Sequence, residues 1–211
     1  MLSVFDLDKT LIKGDSYDLW HDFLLEKKIL GDEFIEKNEE MGKLYDAGKL
    51  DMDTYIKFSE ISLKSVSLDE ISTLIPEFLE SKILPIVHDN AKIWLNSSRN
   101  SQLIISATPE YIVKPIAHFL GVKHAIGVKL KIKNGYYISK YEKPMSYQEG
   151  KVVCLKNWLK DQKLKPKKIK FYTDSINDIT LCKFADSVVC VSPDDELRAI
   201  AVKQNWEIVE I

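Results

Sequence analysis

The first residues, Met1-Leu2-Ser3-Val4-Phe5, are apolar and β-prone, and they run straight into Asp6-Leu7-Asp8-Lys9-Thr10-Leu11. That pattern predicts a buried opening strand that ends in polar residues. Residues 15–85 then show helical patterns without a convincing strand. Leu19, Trp20, Phe23 and Leu24 form an apolar stripe at helical spacing, and Gly31 and Gly48 punctuate the following segments. Ser67-Leu68-Asp69-Glu70 has the Ser-x-x-Glu form of a capping box, ahead of Ile71, Leu74 and Ile75. Pro76 is expected to interrupt that helix, and Pro85 to close the region.

From residue 88 the texture becomes strand alternating with helix. Helices are expected over 88–97, 110–120, 151–161, 176–184 and 197–204, the second with Thr108 as N-cap and Pro109 at its first position. Apolar strands are expected over 102–106, 169–173, 187–191 and 207–209. Segments 128–132 and 136–138 flank Lys133-Asn134-Gly135, a hairpin signal. Apolar strands separated by helices imply a parallel sheet covered on both faces. The fold class is therefore α/β: a Rossmann-like parallel sheet core with helices on both faces, plus an inserted all-helical cap domain. The core is expected to comprise residues 1–13 and 86–211, and the cap 14–85, with hinges near Lys13 and Pro85.

The chain has 211 residues, 45% of them hydrophobic and 29% charged, with a formal net charge of −2. That balance gives no sign of a nucleic-acid or membrane surface. The basic run Lys163, Lys165, Lys167, Lys168 and Lys170 surrounds Pro166 and reads as a solvated connection. No apolar stretch reaches the roughly 18 residues of a membrane span. The N-terminal pattern is not that of a secretion signal, and Cys154, Cys182 and Cys190 read as reduced core residues, so a cytoplasmic protein is expected. Whether it is a monomer or a homodimer is not legible.

In an open parallel sheet, ligands bind beyond the carboxyl ends of the strands. Four polar groups are expected at that edge. Asp6 and Asp8 fall on one side of the opening strand, and their repulsion calls for a cation or a shared proton; the alternative is a turn after an edge strand. Ser106 ends an apolar strand, and its hydroxyl with the following N–H groups, Ala107 first, makes an oxyanion or phosphate seat unless it is a plain strand-end serine. Lys151 opens a helix against the macrodipole, which hints at a purpose, although any lysine is a surface residue by default. Asp174 and Asp178 follow an apolar strand with Ser175 and Asn177 between them, and Asp178 could equally cap the next helix.

In order and spacing, these motifs resemble those of the haloacid dehalogenase superfamily, in the branch with a helical cap that includes phosphoserine phosphatases. Asp6-Leu7-Asp8-Lys9-Thr10-Leu11 is similar to its Asp-x-Asp-x-Thr first motif, Ser106 to its second, Lys151 to its third and Asp174-x-x-x-Asp178 to its fourth. The resemblance implies a phosphomonoesterase acting on a small-molecule phosphate ester. Asp6 would be the nucleophile that becomes an aspartyl-phosphate, and Asp8 the acid and base. Mg²⁺ would be held by the Asp6 carboxylate, the Asp8 backbone carbonyl, the Asp174 carboxylate and waters anchored by Asp178. Lys151 and Ser106 would neutralise phosphoryl oxygens, with Lys151 also keeping Asp6 ionised. Thr10 would order the loop, and Asn177 would contact phosphate or orient Asp174.

Asp15 stands where phosphoserine phosphatases carry an acid for the substrate amine, and it is equally placed to cap the first cap helix. Two departures argue against phosphoserine itself. Arg99 and Arg198, the chain's arginines, both lie outside the cap, and Ala107-Thr108 replaces the two glycines that follow the second-motif serine. Gly14, Asp15, Ser16 and Trp20 are more similar to a branch that contains some histidinol-phosphate phosphatases. Tyr17 and Trp20 are then candidates to pack on a ring, or simply core, and His21 has no partner visible in sequence. A phosphotransferase or mutase using the same intermediate, and a non-catalytic phosphate-binding protein, are the alternative functions.

Overall fold

A computed structural model describes residues 1–46, 54, 58–97 and 101–211. The chain opens with β1 (Leu2–Phe5), followed by α1 (Ser16–Glu26), α2 (Asp32–Asp46), α3 (Glu60–Ser65) and α4 (Leu68–Phe78). A π-helical turn (Leu79–Ile83) and a 3-10 turn (Leu84–Ile86) lead into α5 (Asp89–Ser97). Then come β2 (Ser101–Pro109), α6 (Glu110–Phe119), β3 (Ala125–Val128), β4 (Leu130–Lys133), β5 (Tyr136–Tyr141) and α7 (Glu149–Asp161). The chain finishes with β6 (Ile169–Thr173), α8 (Ile179–Phe184), β7 (Ser187–Val191), α9 (Asp195–Gln204) and β8 (Glu207–Val209).

Six strands form one sheet in the order β3-β2-β1-β6-β7-β8, with every pairing parallel. The strand order reverses across β1 and β6, so the crevice beyond their carboxyl ends is the topological switch point where α/β sheets bind ligands. Phe5 pairs with Tyr172 in register, which brings Asp6 and Asp174 out at that crevice. Alternation sorts the core into two layers. Leu2, Val4, Leu103, Ile105 and Phe171 pack on one face against α7 and α8. Phe5 and Ile104 pack on the other, against α6 and against Trp20, Phe23 and Phe78 from the helical insertion. Between β1 and β2 the described residues form helices and turns, as an inserted all-helical cap requires.

Several sequence expectations need correction. Helix α4 runs through Pro76 to Phe78 instead of breaking, because Ile71, Ile75 and Phe78 all bury one apolar face; a π-helical turn follows it. The strand at 102–106 extends to Pro109, and α6 begins at Glu110 without a side-chain cap. The hairpin begins at Leu130, Val128 ending β3 instead, and Asn134 and Gly135 both adopt positive φ at its turn. A 3-10 turn (Ile176–Asp178) precedes α8 where one continuous helix was expected. The capping box holds, with Ser67 and Glu70 bonding reciprocally. Gly48 and Arg99 lie outside the described residues.

Candidate active site

The carboxyl edge gathers the predicted groups. Asp6 directly follows β1, and its backbone N–H donates to the Tyr172 carbonyl at 2.9 Å, so the main chain of two central strands fixes it. The Lys151 ammonium donates to Asp6 Oδ1 at 2.7 Å and lies 2.6 Å from Asp178 Oδ1. Asp178 also accepts from the Thr173 hydroxyl at 2.7 Å. Lys151 and Asp178 are buried, so the surface reading of the one and the capping reading of the other are both corrected. Asp178 stands at the N-cap position of α8 without making a cap bond. Gly150 makes this placement of Lys151 possible. A Cβ there would overlap the Met145 carbonyl, against which the first turn of α7 packs.

Asp8 accepts three hydrogen bonds from described residues. The Ser16 backbone N–H donates to Oδ1 at 2.6 Å, while the Ser106 and Thr108 hydroxyls donate to Oδ2 at 3.1 and 2.9 Å. Ser106 is buried, Ala107 half-buried beside it, and the Thr108 N–H donates to Ser106 Oγ at 3.0 Å. Thr10 is fully buried and donates to Asp174 Oδ1 at 3.1 Å, tying the loop after β1 to the end of β6. Asn177 bonds to Ser175, Tyr147 and Gln148, toward the loop that precedes α7.

Asp15 caps α1, with Oδ1 accepting from the backbone N–H groups of Tyr17 and Asp18 at 2.8 and 3.1 Å. Tyr17 and Trp20 are core residues, and His21 is buried with its Nε2 3.0 Å from the Ser62 hydroxyl. Arg198 is paired with Glu210 in an exposed ion pair outside the helical insertion. Thr108, Thr173 and Ser16 were missed by sequence reasoning. The signal for Thr108 was present, because residues 106 and 108 share one side of an extended chain. The Thr108-Pro109 pair read instead as a helix start.

The electrostatics are those of buried carboxylates crowded together. Burial raises the affinity of Asp6 for a proton well above the carboxylate norm; Lys151 opposes this, and Asp178, Asp174 and Asp8 add to it. Burial and the Asp178 charge push Asp174 up to about 7, against the Thr10 hydrogen bond. Burial, Asp8 and Asp18 push Asp15 up to about 8. Burial alone would lower Lys151, but Asp178 and Asp6 hold it above its usual value. Lys151 bonds both Asp6 and Asp178 and does not by itself offset the burial of Asp6. Among the described residues no three His, Cys, Asp or Glu side chains converge as a ready cage. A small hard cation that keeps most of its waters needs only one or two carboxylates, and Asp6 and Asp174 at adjacent strand ends supply them. The donor set fits Mg²⁺ in that form, with the Asp178 side chain committed to Lys151 and Thr173.

No described helix is long and apolar enough to cross a membrane, and the three cysteines are free and buried. The haloacid dehalogenase-like hydrolase profile matches residues 3–183. A histidinol-phosphatase of Neisseria meningitidis serogroup C (strain 8013) is 32% identical over 216 residues, covering 99% of this chain and 97% of that protein. Among solved structures, a protein with unknown function from Bordetella pertussis Tohama I superposes with a TM-score of 0.91 at 29% identity, covering 99% and 97% of the two chains. A phospho-aspartyl intermediate analogue of phosphoserine phosphatase superposes with a TM-score of 0.67 at 20% identity over 100% and 92%, a likeness of fold. With the motif order, the parallel sheet and the helical insertion in place, the chain belongs to the haloacid dehalogenase-like hydrolases.

Proposed function

We propose that this chain is a Mg²⁺-dependent phosphomonoesterase that hydrolyses a small cationic phosphate ester through an aspartyl-phosphate on Asp6. The observation that carries the proposal is the pairing of two carboxylates with opposite surroundings. Asp6 is held against Lys151 in the crevice, whereas the donors to Asp8 among the described residues are all neutral. One is dressed as a nucleophile and the other as a proton carrier. Asp6 attacks phosphorus as Asp8 protonates the departing alcohol; Asp8 then takes a proton from the water that hydrolyses the acyl-phosphate. Lys151, Ser106 and the Ala107 N–H neutralise phosphoryl oxygens as charge redistributes. Bound Mg²⁺, on Asp6, Asp174 and the Asp8 carbonyl, would supply the remaining positive charge.

Histidinol phosphate is the lead substrate. Support comes from the relative of that name at 32% identity, from the lack of an arginine among the described cap residues, and from Asp15, whose cap bonds use Oδ1 and leave Oδ2 for an ammonium group. Residues 1–13 and 86–211 form the catalytic core in this proposal, and 14–85 the cap. The two linkers run together, with the Lys13 N–H donating to the Ile86 carbonyl at 2.9 Å and the His88 N–H to the Leu11 carbonyl at 3.1 Å, which supports a paired hinge. The test is phosphate release from histidinol, serine, ethanolamine, sugar and nucleotide phosphates, with Mg²⁺ and with chelator. Metal-dependent turnover concentrated on histidinol phosphate is expected. Asp6→Asn is expected to retain the fold and to fall below about a thousandth of wild-type turnover; higher activity would remove Asp6 as nucleophile.

A further inference from the structure

Thr108 is buried, yet its hydroxyl does not cap the helix that starts two residues later. A threonine cap is worth about 1 kcal/mol to a helix, so α6 forgoes local stability here. The hydroxyl instead donates to Asp8 Oδ2, and the Thr108 N–H donates to Ser106 Oγ, which turns the Ser106 proton toward the same oxygen. The backbone of this segment is held from outside. Val128 pairs with Pro109, and β3 approaches so closely that a Cβ on Gly127 would lie 2.7 Å from the Thr108 carbonyl oxygen.

We propose that Thr108 is a positioning residue for Asp8, fixing which carboxyl oxygen carries the transferred proton. The inference rests on the roles of Asp6 and Asp8 proposed above. Two hydroxyl donors occupy both lone pairs of Oδ2, the carbonyl-type oxygen of the protonated carboxyl group, whereas Oδ1 accepts the Ser16 N–H at 2.6 Å and keeps its second lone pair for the proton. In the first half-reaction an Asp6 oxygen bonds to phosphorus while the bond from phosphorus to the leaving oxygen breaks. The electron pair stays on the leaving oxygen, which takes the Oδ1 proton. In the second half-reaction a water oxygen bonds to phosphorus, the bond to Asp6 breaks, and Oδ1 recovers a proton from that water. The acid is restored, and the net change is hydrolysis of the ester.

The test reads kcat/KM, which covers the steps through departure of the leaving group, for wild type, Thr108→Val and Thr108→Ser with Mg²⁺. The substrates are 4-nitrophenyl, phenyl and histidinol phosphates, whose leaving groups need increasing help from an acid. Relative to wild type, Thr108→Val should lose about 30-fold or more on histidinol phosphate, an intermediate factor on phenyl phosphate and about threefold or less on 4-nitrophenyl phosphate. Thr108→Ser, which keeps the hydroxyl, should stay within about threefold on all three. Equal losses on the three substrates, or no loss, would overturn the role, because a merely structural residue scales every substrate alike. If Thr108→Val does not fold, Thr108→Ala makes the same comparison. Wild-type enzyme inactive on all three would overturn the proposed hydrolase itself, whereas uniform loss in an active enzyme removes Thr108 alone.

Discussion

His21 gives a prediction whose size follows from its surroundings. Its ring is 1% exposed, between Tyr17 and Phe34. The Ser62 hydroxyl donates to the Ser59 carbonyl at 2.8 Å, so it must accept at its lone pair from His21 Nε2–H. Nδ1 is buried without a partner among the described residues, so a second proton there would find no acceptor among them. Burial lowers the pKa from 6.5 to about 3. The unfolded chain therefore binds a proton between pH 6.5 and 3 that the folded chain refuses. Stability from this group is complete above 6.5 and is lost as the pH falls toward 3. Linkage puts the loss at about 2 kcal/mol at pH 5 relative to pH 8, and about 5 kcal/mol when complete. Asp15 and Asp174, held up at about 8 and 7, work in the opposite direction and gain stability as the pH falls. The quantity to measure is thus a difference. Urea unfolding of wild type and His21→Gln at pH 8 and pH 5 cancels the carboxylates, because glutamine does not titrate and its amide can still donate to Ser62. Between those pH values wild type should lose about 2 kcal/mol relative to the variant. Parallel behaviour within about 0.5 kcal/mol would refute a buried neutral ring.

Other consequences are simpler. Gly127→Ala forces a Cβ to within 2.7 Å of the Thr108 oxygen and Glu110 Cα, both backbone, so a loss of about 1–3 kcal/mol is expected by thermal unfolding, with a fall in kcat/KM as Thr108 shifts. Unchanged kinetics would separate β3 from the site. Lys151→Met leaves Asp6 and Asp178 buried beside each other, and chemical denaturation at pH 8 should show a cost of about 3–5 kcal/mol together with loss of phosphate release. Ser67→Ala removes the capping box of α4 far from the crevice; it should cost about 1 kcal/mol in urea and leave kcat unchanged.

The sheet was legible because its strands are short apolar runs ended by polar residues, a pattern that period-2 geometry converts directly into an edge bearing Asp6, Ser106 and Asp174. The carriers of precision were less so. That Lys151 and Asp178 share one buried ion pair depends on how α7 packs against α8, which no local pattern states. Gly127 and Gly150 gave no signal, since their need for a missing side chain comes from backbones distant in sequence or across a tight turn. Thr108 was misread because Thr-Pro-Glu is a true helix-start pattern that tertiary demand overrode. Asp15 kept its two readings for a physical reason: one carboxylate has two oxygens, and the cap uses Oδ1.

The division of labour among the four carboxylates follows from who neutralises whom. Asp178 receives both Lys151 and Thr173, so its charge is answered within the protein. Asp8 receives three neutral donors, which orient it but bring no positive charge. Asp6 shares the same lysine, and Asp174 has the Thr10 hydroxyl. One lysine is thus shared between Asp6 and Asp178, and Asp174, beyond the end of β6 next to Asp6, has only a neutral hydroxyl among the described side chains, so a phosphate dianion entering this edge would meet net negative charge. In our proposal this is why metal and substrate depend on each other. The fold brings the two carboxylates to adjacent strand ends at the switch point of its sheet, and a divalent cation held by Asp6 and Asp174 would supply the positive charge that an anion needs there.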